Sequence, residues 1–348
     1  MNNFFRNKTV LVTGHTGFVG SWLALWLKES KADVVGLSLN PPSNPYHYKI
    51  LGLSRDITDI KGDIRKSATV NRVLRERKPD IVMHLAAQPI LLDSYGNPAE
   101  TYLTNVIGTL NVLEASRKAG SVRAFLNVTT DKVYENIGTK SRYKETDKLG
   151  GSDPYSSSKA CSEILTQSYR DSFMSGAGIA TARAGNILGG GDWGAHRLVP
   201  GLVWSHISGK PLLIRHPDAI RPWSHVLDIL NGYLTLTEKL YKNPKRYSGP
   251  WNFASADVKL VKDLILEFSK YWRIKYRLGA GKGLHEEKLL LLDSTKAKEG
   301  LGWKPINSFS RTVRDTASWY DHFYGKNGGT GPDYSIMQLR HFERRLHG

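Results

Sequence analysis

The fold is decided near the start of the chain by the stretch Thr9-Val10-Leu11-Val12-Thr13-Gly14-His15-Thr16-Gly17-Phe18-Val19-Gly20. Its β-branched first half is typical of a strand, and apolar helix formers follow from Ser21 to Lys28. Glycine permits a tight turn and lets backbone N–H groups approach a pyrophosphate at a helix N-terminus. We therefore predict that a dinucleotide is bound by Gly14, His15, Thr16, Gly17, Phe18, Val19 and Gly20. A purely structural turn stays open as an alternative, because the Gly-x-x-Gly-x-x-Gly spacing differs from the usual Rossmann fingerprint.

Strand-like and helix-like segments then alternate along the first half of the chain. Further strands are predicted at residues 33–39, 56–61, 79–88, 124–128 and 178–183, with helices at 66–77, 101–117 and 155–173. This alternation predicts an α/β fold with a doubly wound parallel (Rossmann) sheet over residues 1–186.

The second half of the chain lacks this regular alternation. Residues 187–324 are predicted to form mainly a smaller mixed α/β substrate domain, with some segments returning to the first domain. A flexible segment at 325–331 and a basic C-terminal tail, together residues 325–348, complete the prediction.

Further cofactor contacts are predicted where the later strands end: at Asn40, Asp63, Ile64, Ala86, Ala87, Gln88, Asn105 and Thr129. Asn40 stands where an acidic residue often binds the adenosine ribose. The sequence has neither an acid nor an arginine at this point, so it does not distinguish NAD from NADP. Asp63 either accepts a hydrogen bond from an adenine amino group or caps the helix that follows it. Asn105 is either exposed or part of a buried polar network.

Two short stretches carry the candidate chemistry. Thr130 and Asp131 follow the strand 124–128, at the edge where open α/β sheets bind ligands. Asp153 is a good N-cap for a helix on which Tyr155 and Lys159 are four residues apart and share a face. An ammonium beside a phenol lowers the phenol's pKa, so we predict Tyr155 as a general base. The alternative is an ordinary pair on a helix surface.

The net charge, the cysteine count and the length of the apolar runs argue against several other classes of protein. The formal net charge is +17, yet the basic residues are scattered, so nucleic-acid binding is not favoured over a solvated basic surface. One cysteine, Cys161, excludes an intrachain disulfide and a cysteine metal cluster, and no metal is expected. No apolar run is as long as a membrane helix, so a cytoplasmic enzyme is expected.

The motifs, taken in order, resemble those of the extended short-chain dehydrogenases/reductases. They are the glycine turn, Leu85-Ala86-Ala87, Asn105, Thr130, Tyr155-x-x-x-Lys159 and Arg183-x-Gly185-Asn186. The resemblance implies a tightly held NAD, with NADP not excluded, and a C-terminal domain for a nucleotide sugar. It also implies that Thr130, Tyr155 and Lys159 form the hydride-transfer triad. A homodimer joined by a four-helix bundle is implied as well, with residues 160–169 contributing.

Within that family, the pair Asp131-Lys132 resembles the sugar 4,6-dehydratases, and among them those that act on CDP-glucose. This likeness implies that protonated Asp131 donates to the departing 6-hydroxyl. Lys132 would take the proton from carbon 5, which requires a neutral amine; the alternative is that Lys132 only anchors the substrate. An epimerase or reductase on the same scaffold, and a non-catalytic nucleic-acid-binding protein, remain as other functions.

The substrate's diphosphate calls for cationic partners, and arginine forks suit phosphate oxygens. Arg221 is the first choice, followed by Arg197, Arg215 and Asn186. Ordinary surface ion pairs are the alternative for Arg197 and Arg215. Gln88 and Trp193 complete the predicted substrate contacts, although packing is the favoured role for Trp193.

Overall fold

A parallel β-sheet forms the centre of the structure. The structure is a computed structural model, and it describes residues 3–41, 43–138, 141–255, 257–279, 289–325 and 331–347. The strands are β1 (Thr9–Thr13), β2 (Asp33–Ser38), β3 (Thr58–Lys61), β4 (Ile81–His84), β5 (Ala124–Val128), β6 (Gly178–Ala184), β7 (Asn186–Leu188), β8 (Leu212–Ile214), β9 (Ile220–His225), β10 (Gly249–Phe253), β11 (Val258–Leu260) and β12 (Tyr276–Leu278). Seven of them form the main sheet in the order β10-β6-β5-β4-β1-β2-β3, with every neighbouring pair parallel.

Helices cover both faces of this sheet. They are α1 (Phe18–Glu29), α2 (His47–Ile50), α3 (Ser67–Arg77), α4 (Leu91–Gly96), α5 (Pro98–Tyr102), α6 (Gly108–Ala119), α7 (Pro154–Ser172), α8 (Leu198–Ser208), α9 (Val226–Lys242), α10 (Pro244–Tyr247), α11 (Val261–Phe268), α12 (Thr295–Leu301), α13 (Phe309–Tyr324) and α14 (Asp333–His347). Within the described part of the chain, every helix is too short or too polar to span a membrane.

Alternate residues of the central strands point into two separate cores. On β1, Val10 and Val12 join one apolar cluster with α1 and α9, while Leu11 joins the other with α3 and α6. Successive strand residues face opposite sides of a sheet, so a strand buried on both faces reads as a continuous apolar run. The predicted doubly wound α/β fold is confirmed.

The second half of the chain builds smaller sheets and also returns to the main one. Strands β11, β9 and β7 form a mixed sheet, and β12 pairs with β8. Strand β10 adds to the edge of the main sheet beside β6. The predicted mixed α/β region is therefore present, and part of it completes the central sheet.

The C-terminal residues form a docked helix where the sequence predicts a basic tail. On α14, Leu339 and Phe342 are buried in the core, and the Trp26 indole donates a 3.0 Å hydrogen bond to the carboxylate of Glu343. Arg340 and Arg344 of this helix are exposed, Arg345 bonds to Asn307 and Ile306, and the apolar face packs on α1 and α13. Residues 326–330 of the predicted flexible segment lie outside the described residues.

Candidate active site

The glycine turn lies between β1 and α1, where the strand order of the sheet reverses. Gly14 has a φ of +76°, and a Cβ there would come within 2.8 Å of the Ala86 nitrogen. A Cβ on Gly20 would lie 2.1 Å from the Gly14 carbonyl oxygen, so both positions exclude a side chain. Gly17 is the N-cap of α1 and has no side chain, so the start of that helix has no side-chain cap. The first N–H groups of α1 therefore remain for an anionic ligand, as a dinucleotide pyrophosphate requires.

Two polar residues of this turn stabilise the protein instead of pointing at a ligand. The His15 ring is fully buried against Gly36 of β2, and its Nε2 lies 2.9 Å from the Asp59 carboxylate on β3. Burial lowers the pKa of His15. The Thr16 hydroxyl bonds to the Ser38 hydroxyl at 2.8 Å. Because the His15 ring lies in the core, only the backbone of His15 remains for a cofactor, and its predicted place in the cofactor turn stays a prediction.

The residues predicted to bind the adenosine end of the cofactor differ in whether their side chains can contact it. Asn40 is exposed directly after β2. Arg65 bonds to the Asp63 carboxylate through its backbone and its guanidinium, at 2.6–3.0 Å, and lowers the pKa of Asp63. Helix α3 begins after Lys66, so the predicted capping role of Asp63 is wrong. The Ile64 side chain is buried and packs against Gly108, which leaves only its backbone for a cofactor.

The exit of β4 is held in place by Asn105. This side chain is buried, accepts a 2.8 Å hydrogen bond from the Gln88 nitrogen, and donates to the Gln88 carbonyl and the Ser158 hydroxyl at 3.1 and 2.9 Å. Asn105 lies in a π-helical segment, Leu103–Ile107, which interrupts the single helix predicted from the sequence. Ala86 and Ala87 remain half-buried at the strand end. The side chain of Gln88 bonds to the backbone of Ile90, so its predicted contacts with ligands need a rearrangement.

The predicted catalytic groups converge at the end of β5. Asp153 caps α7 through a 2.8 Å bond from the Ser156 nitrogen and so fixes the start of the helix that carries Tyr155. The Thr130 hydroxyl donates a 3.0 Å hydrogen bond to the Asp131 carboxylate, and Thr130 lies close enough to the Tyr155 phenol to affect its pKa. The structure thus joins a strand end and a helix start that are far apart in the chain.

The ionisation of the helix pair differs from the prediction. Burial raises the pKa of Tyr155 to about 12, and the opposing effects come from Thr130 and the charge of Arg197. The Lys159 ammonium donates a 3.1 Å hydrogen bond to the Val128 carbonyl, and burial lowers its pKa to about 8. The structure does not show the predicted lowering of the Tyr155 pKa, because desolvation of the phenol raises it. That the charge of Lys159 stabilises the phenolate stays a prediction.

Asp131 is a buried acid beside this pair. Burial raises its pKa, against the opposing charges of Lys132 and Arg221. A Cβ on Gly185 would come within 2.9 Å of the Asp131 carboxylate, so this glycine leaves room for the acid. A carboxyl with a raised pKa is better suited to donate a proton than an ordinary aspartate. Lys132 is only half-buried.

A buried ion pair behind the strand end has no counterpart in the sequence prediction. The Glu163 carboxylate accepts hydrogen bonds from Thr129 at 2.5 Å, from Thr181 at 2.7 Å and from the Arg183 guanidinium at 3.0 and 2.8 Å. The Thr129 hydroxyl, predicted to contact the cofactor, is thus already bonded within the core. Glu163 stands four residues after Lys159, on the same face of α7, and this spacing was a signal for its role.

Arg197 is a predicted substrate residue whose charge affects the pKa of Tyr155. Its guanidinium donates a 3.0 Å hydrogen bond to Asp192, whose charge raises the pKa of Arg197. Asp192 is fixed in turn by Tyr320, which bonds to both its nitrogen and its carbonyl oxygen. The ion pair considered for Arg197 is present, with Asp192, and the charge of Arg197 also opposes the rise in the Tyr155 pKa.

The other predicted substrate residues are more dispersed. Arg221 is buried on β9, where its charge acts on Asp131, and Asn186 is half-buried at the start of the neighbouring β7. Arg215 is exposed after β8. The Trp193 ring packs against Trp319, Tyr320 and Phe323 of α13, which supports a packing role.

A dinucleotide turn at the point where strand order reverses, facing a Tyr-x-x-x-Lys helix, defines the extended short-chain dehydrogenases/reductases. The chain belongs to the GDP-mannose 4,6-dehydratase family, whose pattern it matches over residues 11–316. It is 40% identical to a CDP-glucose 4,6-dehydratase of Salmonella typhimurium, over 91% of this chain and 92% of that one. The predicted family is confirmed.

Solved structures share the fold. A UDP-glucose 4-epimerase of Thermotoga maritima in complex with UDP-glucose aligns with a TM-score of 0.77 at 25% identity, over 90% of this chain and 98% of that one. A dTDP-glucose 4,6-dehydratase of Bacillus anthracis in complex with NAD aligns with a TM-score of 0.73 at 22% identity, over 90% and 96% of the two chains.

Proposed function

We propose that this protein is an NAD-dependent nucleotide-sugar 4,6-dehydratase that acts on CDP-glucose. One observation carries the proposal: a buried acid with a raised pKa, Asp131, lies beside the Thr130–Tyr155 pair. Inverting carbon 4 needs no such acid, whereas loss of the 6-hydroxyl as water needs a proton donor. The similarity to the Salmonella typhimurium enzyme supports the same reaction and the same nucleotide.

The residues of the glycine turn fit NAD. An uncapped helix start and two glycines without room for a side chain form a cradle for a pyrophosphate, with Ala86 beside it. The glycine turn would hold NAD, which would supply a hydride acceptor for carbon 4 of the sugar and a hydride donor for carbon 6, so the reaction would have no net redox change.

The helix pair handles the proton of the 4-hydroxyl. Tyr155 takes this proton as the general base, and Thr130 hydrogen-bonds to the same oxygen. Lys159, held by the Val128 carbonyl, supplies the positive charge that stabilises the phenolate. The raised pKa of Tyr155 makes this charge necessary, because a neutral phenol does not act as a base.

The acid–base pair after β5 performs the elimination. A ketone at carbon 4 acidifies the proton on carbon 5, and Lys132 removes it while Asp131 protonates the departing 6-hydroxyl. The product is a 4-keto-6-deoxy sugar. Arg221 and Arg197, with the exposed Arg215 and with Asn186, are proposed to bind the substrate's diphosphate by charge-assisted hydrogen bonds.

The test is a comparison of nucleotide sugars with the purified protein. CDP-, dTDP-, UDP- and GDP-glucose, and GDP-mannose, are each incubated with it and assayed for the alkali-induced absorbance of a keto sugar. We expect product from CDP-glucose at a rate at least about 100-fold above the others, about 2.7 kcal/mol of discrimination. Faster formation of the keto sugar from another nucleotide sugar would mean that the enzyme prefers that nucleobase to cytosine. A C4-inverted sugar without a keto product would favour an epimerase.

We further propose that two chains associate through α7 and the α5–α6 region, and that the enzyme works in the cytoplasm. Large apolar side chains are exposed there on neighbouring helices: Tyr102, Leu103, Ile107 and Ile164. Exposed apolar clusters of this kind mark interaction surfaces. Four helices, two from each chain, would cover them.

A further inference from the structure

A second cavity lies away from the proposed catalytic centre, where the start of α9 meets α13 and α14. It has a volume of about 420 Å³ and shares no lining residue with the predicted cofactor or substrate sites. This volume is within the range of small-ligand pockets. The basic C-terminal run of the sequence, which the dehydratase chemistry leaves without a role, forms one of its walls.

The side chains that line this cavity carry a large excess of positive charge. Four arginines line it, Arg311 and Arg314 from α13 and Arg344 and Arg345 from α14, against a single carboxylate, Asp315. Asp315 is bonded to the Nε atoms of both Arg311 and Arg314, at 3.3 and 3.2 Å. One carboxylate between four guanidinium groups leaves three positive charges in excess, so the cavity attracts an anion with several charges.

A buried histidine, His225, is among the residues that line the cavity. The His225 side chain caps α9, where its Nδ1 accepts a 3.2 Å hydrogen bond from the Leu227 nitrogen. Burial lowers the pKa of His225 to about 4, so the neutral ring carries its proton on Nε2. Among the described residues this buried Nε2 has no hydrogen-bond partner, and the same holds for the Gln338 Oε1 atom, whose residue also lines the cavity.

A buried polar atom without a partner costs about 1–3 kcal/mol, so such atoms normally mark a place for water or a ligand. We propose that the cavity between α9, α13 and α14 is a binding site for a small diphosphate-bearing anion, separate from the catalytic centre. The guanidinium groups of Arg311 and Arg344, on facing helices, hold phosphate oxygens, and His225 donates from Nε2. A protonated ligand oxygen or a water donates to Gln338.

The test is isothermal titration of inorganic pyrophosphate into the full-length, NAD-loaded enzyme. Arg221→Gln, which removes an arginine proposed for the catalytic diphosphate site, is titrated in parallel and should bind pyrophosphate at the cavity as the unmodified protein does. We expect saturable binding of one pyrophosphate per chain, and weaker binding of inorganic phosphate. Arg311→Gln and Arg344→Gln should each weaken binding about tenfold, the loss of one charge-assisted contact. His225→Asn keeps a capping side chain and removes the Nε2 donor, so it should weaken binding several-fold.

The matched control is Arg340→Gln, which removes one positive charge from the same helix. Arg340 does not line this cavity and pairs with Glu29 at 3.3 Å, so the variant should bind pyrophosphate as the unmodified protein does. Equal weakening in Arg340→Gln would mean diffuse attraction to a basic surface and would overturn the proposal. Absence of binding at millimolar pyrophosphate would overturn it too. Because Arg344 is exposed, its variant keeps the test valid if the Arg311 variant fails to fold.

Discussion

The hydroxyl of Thr129 donates a 2.5 Å hydrogen bond to the carboxylate of Glu163, which joins the end of β5 to the helix that carries Tyr155 and Lys159. The same carboxylate forms a buried ion pair with Arg183, and both side chains are 3% exposed. The end of β5 and the helix that carries Tyr155 and Lys159 are thus fixed to one another by a single acid.

Removing that acid should destabilise the protein strongly. Glu163→Ala leaves the Arg183 guanidinium buried and unpaired, so the free energy of unfolding should fall by about 3–5 kcal/mol. Urea unfolding followed by tryptophan fluorescence measures this loss. The control is Glu135→Ala, which breaks an exposed pair with Lys148 and should cost less than about 1 kcal/mol. Similar small losses in both variants would show that the Glu163 pair does not hold the strand to the helix.

The pH dependence of kcat/KM should report Tyr155 and Lys159. The phenolate fraction grows with pH below a pKa of about 12, while the ammonium is lost above a pKa of about 8. We expect kcat/KM to follow the phenolate fraction of Tyr155 multiplied by the ammonium fraction of Lys159. This product rises about tenfold per pH unit from pH 6 to about 8 and then levels off. Steady-state rates with CDP-glucose across this range check it, and Tyr155→Phe should lower kcat about 10²–10⁴-fold at every pH. A plateau already reached at pH 6 would show that the loaded enzyme holds Tyr155 ionised.

The role of Lys132 can be separated from substrate anchoring. Lys132→Met should abolish exchange of the carbon 5 hydrogen with deuterated solvent while substrate still binds, because the variant lacks a proton acceptor. Nuclear magnetic resonance of the recovered nucleotide sugar measures the exchange. Lys148→Met, at an exposed lysine, is the matched control and should leave exchange unchanged. Undiminished exchange in the Lys132 variant would assign the base role to another group.

The proposed dimer depends on the exposed apolar side chains of α7 and the α5–α6 region. Ile164→Arg places a charge at a side chain that is 56% exposed, which would be desolvated between two chains, so the protein should become monomeric. Light scattering after size-exclusion chromatography measures the mass. Leu266→Arg, at a comparably exposed residue on α11, should leave the mass unchanged. A monomeric unmodified protein would contradict the proposal.

The sequence by itself determined the features that depend on close neighbours in the chain. The strand of apolar β-branched residues before Gly14, the Asp153 cap and the four-residue spacing of Tyr155 and Lys159 all act within one or two turns of backbone. Such patterns are local, so periodicity and capping rules predict the α/β fold and bring the candidate base next to its lysine.

Only the tertiary structure decided which polar groups remain free for chemistry. His15 stands in the cofactor turn, yet its ring is buried because Gly36 on another strand leaves room for it. Arg197 acts on Tyr155, and the basic C-terminus docks as a helix, through contacts between segments far apart in the chain. Burial sets the pKa of Tyr155 and Asp131, and burial is a property of the whole packed chain, so no stretch of sequence contains it.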